Sequence, residues 1–223
     1  NNTECNLYPI NIGKNWRKSP KLLKEFRNLG NIYMSNKLAL LNNLIEFKDC
    51  FNSVPELVLP EKIAFIEKKD EAGGGINEHI GYIMPYIKNN VNMALVLKHK
   101  DIEIEEKIQY LKEIGNIIAR VQQVKPLGEN FYLCDIHEGN FIYDFDSESI
   151  KVVDLDSSKI FATYPFPSKY LSTNKVIKNK EFDSKYQKNY KGDYLPNENS
   201  EWLCFITMIL NTISNGKITS LSY

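Results

Sequence analysis

Asp135, Asn140, Asp154 and Asp156 are the side chains whose types and spacing could do chemistry in this sequence. The first two stand in the polar run Asp-Ile-His-Glu-Gly-Asn, whose glycine and helix-poor composition mark a loop, and the run leads straight into apolar Phe141, Ile142 and Tyr143. Phe145 to Ser149 has turn composition, and Ile150, Val152 and Val153 form a second β-branched run that stops at Asp154. A hairpin closing over that turn returns the second strand antiparallel and delivers Asp154 and Asp156 beside Asp135 and Asn140. Taken singly, each is an ordinary turn residue. Their convergence is what points to chemistry. Hard oxygen ligands suit Mg²⁺, which takes one or two carboxylates and completes its shell with water and substrate phosphates, so the expected chemistry is metal-assisted and acts on phosphate.

The loop Asp135-Ile136-His137-Glu138-Gly139-Asn140 resembles the catalytic loop of the protein-kinase-like superfamily, an Asp followed five positions later by an Asn, and Val153-Asp154-Leu155-Asp156 resembles its metal-binding segment. With His and Gly inside the loop, the resemblance is closer to aminoglycoside phosphotransferases, choline kinases and bacterial kinase-like proteins than to typical Ser/Thr kinases. It implies an α+β, bilobal fold with a reduced β-rich N-lobe over residues 1–87 and a mainly helical C-lobe over residues 88–223. Later large-lobe helices would be missing or lie beyond Tyr223. It also implies ATP and Mg²⁺ as cofactors, with Asp135 accepting the proton of an acceptor hydroxyl, His137 bearing on the transferred charge or holding the loop, and Asn140, Asp154 and Asp156 holding the metal. Leu133 and Cys134 replace the usual His-Arg before the catalytic Asp, and Cys134 is expected to be a core or loop thiol rather than a nucleophile.

Several elements must hold that loop in place. Glu103 to Val124 carries Ile104, Ile108, Leu111, Ile114 or Gly115, Ile118 and Val121 at helical spacing, a buttress beneath the loop, and Pro126 with Gly128 stops it. Trp202 to Leu210 is nearly all apolar, hence a helix buried on most sides, with Ser200-Glu201 as its cap; the resemblance makes Glu201 the acid that holds the catalytic-loop backbone. Leu57 to Leu59, Ile63 to Ile66 and Ile80 to Ile87 read as strands, the last two paired across a loop containing Gly73-Gly74-Gly75. Met84 to Lys88 resembles the linker between lobes, with Met84 and Tyr86 at the adenine edge. Asn36 to Phe51 reads as a helix, the small lobe's regulatory helix by position, with Glu46 as partner of the ATP-orienting lysine. Residues 20–26 have a short helical pattern behind a Ser19-Pro20 cap.

Two departures from the family stand out. No glycine-rich phosphate loop is visible, and Asn31 occupies the place expected for the strand lysine. They motivate an alternative to the phosphotransferase: a pseudokinase-like module that binds nucleotide or protein with little or no catalysis.

The chain's 223 residues suffice for a packed core, and its formal charge is zero, so no global field favours nucleic acid or an anionic membrane. Lysines and tyrosines interleave over residues 157–199, where a kinase would place its activation and substrate-docking segment; a solvated loop is the commoner use of such a pattern than RNA contact. Cys5, Cys50, Cys134 and Cys204 lack the close spacing of a zinc or redox site. The longest apolar run is well short of a membrane span, and a cytoplasmic location is expected. The expected partners are a nucleotide and a phosphoacceptor, protein or small molecule, with no membrane.

Overall fold

The computed structural model describes residues 5–11, 20–26, 31–69, 76–161 and 197–214. The fold is α+β, with two antiparallel sheets and four helices among the described residues. The first sheet has the order β1-β2-β4-β3, from β1 (Cys5–Ile10), β2 (Lys21–Phe26), β3 (Lys62–Lys69) and β4 (Ile76–Pro85). The second is β5 (Asn90–Asn92), β6 (Phe141–Asp144) and β7 (Ser149–Val152), in that order. The helices are α1 (Asn31–Glu46), α2 (Met93–Lys98), α3 (Ile104–Val121) and α4 (Glu198–Ile213).

The expected hairpins form. β3 and β4 pair from Lys62↔Ile83 to Lys69↔Ile76, and β6 and β7 from Phe141↔Val152 to Asp144↔Ser149. Asp144 closes the second hairpin through its carboxylate, which accepts from the Asp146 N–H at 3.1 Å and the Ser147 hydroxyl at 2.6 Å. Leu57 to Leu59 makes no full strand; Leu57 forms a single parallel bridge to Val152. Gly73-Gly74-Gly75 and most of the lysine-tyrosine segment, residues 162–196, lie outside the described residues, as do residues 12–19 between β1 and β2.

Residues 21–26 depart from the helical expectation. Between β1 and β4 this short run makes ladder bonds on both sides, Leu23 facing Tyr8 and Ile83, and that pairing overrides a local pattern too short to sustain a helix alone. Gly81 is what lets β2 lie so close, since a Cβ there would stand 2.4 Å from the Lys24 carbonyl oxygen. α1 begins earlier than expected, so Asn31, Ile32 and Tyr33 form its first turn rather than a strand.

The cores lie on either side of α1. Leu40 and Leu44 belong to a large cluster with Ile114, Ile118, Phe131, Phe141 and Ile150, whereas Leu41 joins a smaller one with Phe26, Val58, Tyr82 and Met84 under the first sheet. α3 buries Leu111, Ile114, Ile117, Ile118 and Val121 as a stripe, each worth about 1.5–3 kcal/mol of transfer free energy. Its first turns differ from expectation: Ile104 and Ile108 are exposed. α4 crosses α3 at Gly115, where a Cβ would meet the Phe205 ring at 3.1 Å. The α4 cap is Asn197, three residues before the expected one, in a reciprocal capping box with Ser200.

Candidate active site in the cleft between the sheets

A cavity of about 530 Å³ opens between the two sheets. Strand alternation puts Cys5, Leu7 and Pro9 on one face of β1 and Leu22 with Lys24 on one face of β2, and these form its roof together with Met84. Its floor is Gly139, Asn140, Ile142 and Val153, and Asp154 closes one end. The other end, by Tyr86 and Ile87, is apolar. Pro85 ends β4, and the Tyr86 N–H is drawn back to the Pro20 carbonyl at 3.0 Å.

The loop and the metal-like segment meet through the backbone. The Val153 N–H donates to the Asn140 carbonyl at 2.9 Å, and the Asn140 amide donates to the Asp135 carbonyl at 2.9 Å and to Asp135 Oδ2 at 3.3 Å. His137 Nδ1 accepts the Gly139 N–H at 3.0 Å, which leaves the ring proton on Nε2, 3.4 Å from Asp135 Oδ2. A Cβ at 139 would lie 2.8 Å from the imidazole Cε1, so a side chain there would push the ring from its place. His137 is thus a loop brace beside Asp135. Asn92 fastens the same turn from below, its amide donating to the Gly139 carbonyl at 2.8 Å while its oxygen caps α2.

Glu201 holds the loop from behind. Its buried carboxylate accepts from the N–H groups of Leu133 and Cys134 and from the Gln122 amide at 3.1 Å. Burial pushes its carboxyl up to about 7, with those three donors pulling the other way. The same bonds keep Cys134 in the left-handed region at φ +67°, a conformation costing on the order of 1 kcal/mol for a residue with a side chain. The Cys134 thiol is buried, donates to the Tyr132 carbonyl, and is held well above its ordinary range by burial and then by Glu201, so it is no nucleophile.

Lysine enters the cleft from an unexpected strand. Asn31 is helical; the lysine that reaches the acids from a strand is Lys24, in the middle of β2. Its ammonium bonds to Asp154 Oδ1 and, at 2.6 Å, to Asp156 Oδ2. Burial works against its charge, yet Tyr82, Asp156 and Asp154 around it raise its affinity for a proton well above the usual value. Lys37, from α1, donates to Asp156 Oδ1 at 2.6 Å, and the Tyr82 hydroxyl donates to Oδ2 at 3.2 Å. Burial opposes ionisation of Asp156 as well, but the two ammoniums outweigh it and hold its carboxyl far below the carboxylate range.

The two expected metal carboxylates therefore differ. Asp156 is buried with both oxygens engaged, whereas the Asp154 side chain is 40% exposed and lines the cavity. Burial and then the neighbouring Asp156 push the Asp154 carboxyl up, against the pull of Lys24. Asp154 adopts φ +64°, which an Asp tolerates better than most residues. Among the described residues there is no cluster of three or more His, Cys, Asp or Glu suited to a metal. Asp154 with Asn140 fits a cation that takes few protein ligands and relies on phosphate and water for the rest, as Mg²⁺ does. Glu46 stands apart: it ends α1, exposed, about 13 Å along the helix from Lys37. Met84 and Tyr86 line the cavity at its apolar end.

Lys24 and Lys37 were the residues that sequence reasoning missed. Lys24 alternates with Leu22 and Phe26 in the run Leu22-Leu23-Lys24-Glu25-Phe26, a signal for a buried lysine once the run is read as a strand. No family model matches the chain, and no curated protein is measurably similar to it. No described helix is long and apolar enough to cross a membrane, and no disulfide joins the four cysteines.

Proposed function

We propose that the protein is a kinase-like phosphotransferase that uses Mg-ATP to phosphorylate a hydroxyl on a protein or small molecule. The single observation that carries this reading is the meeting of Lys24, Asp154 and Asn140 at one end of a cavity whose other end is apolar. A planar base suits the apolar end near Met84 and Tyr86, where the Ile87 N–H has no partner among the described residues. The phosphates then extend toward Lys24.

Each residue has a distinct task in this reading. Lys24 turns its ammonium from Asp154 to the nucleotide phosphates, and Asp154 with Asn140 holds Mg²⁺, which neutralises charge on those phosphates. Asp135 accepts the proton of the acceptor hydroxyl, with Asn140 and His137 fixing the orientation of its carboxylate. Asp156, with both oxygens engaged, anchors the two lysines. The lobes correspond to residues 1–87 and 88–223, with the cleft between them.

The alternative, a binding module without catalysis, drew on Asn31 standing where a lysine was expected and on the want of a glycine-rich loop; Lys24 answers the first ground and leaves the second standing. ADP release from ATP separates the two. The wild type should turn over and Asp135→Ala should lose roughly 10² to 10⁴ in rate, the value of a positioned general base. Wild-type binding of Mg-ATP without any turnover would instead favour the module.

A further inference from the structure

The partner that α1 presents to the strand-lysine cluster is a second cation, Lys37, rather than a carboxylate. Asp156 sits between the ammoniums of Lys24 and Lys37, each at 2.6 Å and each on its own carboxylate oxygen, with Asp154 beyond Lys24. Among the described residues two ammoniums thus face two carboxylates, and their charges balance. Without Lys37 the cluster would carry one net negative charge at the end of the cleft where a polyphosphate is expected, and the whole charge of Asp156 would fall on Lys24.

We propose that Lys37 is a positioning residue for the phosphate end of the cleft: by taking one oxygen of Asp156 it leaves Lys24 free to move from the acids to an anionic ligand, and it keeps the acid pair neutral before that ligand arrives. The inference rests on the phosphotransferase reading above and adds the means by which the cleft holds phosphate. Lys37 is itself 2% exposed and lies behind Asp156, so it acts through Asp156 and Lys24 and not by touching the nucleotide. The same bond ties α1 to the Asp154–Asp156 turn, since Lys37 also donates to the Asp156 carbonyl at 3.3 Å. An arrangement of this kind makes the lysine's hold on phosphate depend on α1 through charge, and a helix carboxylate in the same place would have the opposite sign.

The test is calorimetric titration of Mg-ATP into wild type, Lys37→Met and Lys37→Arg, with thermal unfolding of each without nucleotide and steady-state kinetics alongside. The expected result is a Kd about tenfold weaker for Lys37→Met, recovered to within about threefold by Lys37→Arg, with KM rising more than kcat falls. A folded Lys37→Met that binds Mg-ATP within twofold of wild type overturns the proposal, as does a loss that Lys37→Arg fails to recover. If Lys37→Met does not fold, Lys37→Gln takes its place, and failure of both neutral variants to fold would assign Lys37 to the core alone. No binding by the wild type itself would instead overturn the phosphotransferase reading, and this inference with it.

Discussion

Glu201 has its carboxylate buried against amides, and that sets how its charge couples to folding. In the folded chain its carboxyl titrates near 7, against 4.5 for the free side chain. The folded state therefore holds this proton more tightly, so the residue's stabilising contribution is complete below about 4.5 and is lost as the pH rises to about 7. Glu201→Gln keeps an oxygen for the Leu133 and Cys134 N–H groups but cannot ionise. Its stability relative to wild type should accordingly rise across that window, which urea unfolding at several pH values would read; a constant difference would contradict the assignment. The lysine cluster titrates differently, because Asp156 stays ionised far into acid between its two ammoniums.

Among the elements, those built on local signals were legible in the sequence and those built on tertiary pairing were not. The loop from Asp135 to Asn140, the β6–β7 hairpin behind it and the apolar stripe of α3 each carry turn chemistry or periodicity over enough residues to be read alone. Glu201 came from the resemblance, which makes the acid opening this apolar helix the one that holds the loop, although the cap is Asn197. β2 was not. Six residues with two leucines and a phenylalanine satisfy a helical spacing as well as a strand's, and only the ladder with β1 and β4 decides between them. Misreading β2 hid Lys24, and reading Asn31 as strand rather than helix supplied a false substitute. The same pairing makes Gly81 sensitive: Gly81→Ala presses a methyl group on the Lys24 carbonyl, and chemical denaturation should show a loss of about 1–3 kcal/mol. Because the strain falls on the lysine's own backbone, the variant should also bind Mg-ATP more weakly than its stability loss alone would explain.

At the scale of the whole molecule, α1 is the piece on which both halves bear. Leu41 packs into the small core under the first sheet, Leu40 and Leu44 into the large core, and Lys37 into the charge cluster between them. The cleft is thus framed by two cores that share one helix, with the Asp135–Asn140 loop fixed to one and Lys24 to the other. Asp154, the carboxylate among the described residues that line it, is where a metal-bound phosphate should be felt most. Asp154→Asn preserves the shape and the tolerance for the left-handed backbone while removing the charge, so titration of Mg-ATP into wild type and this variant asks directly whether the cleft is a Mg-ATP site. The account predicts saturable binding by the wild type and a loss of at least tenfold in the variant. Equal binding by both proteins, or none by the wild type, would contradict it.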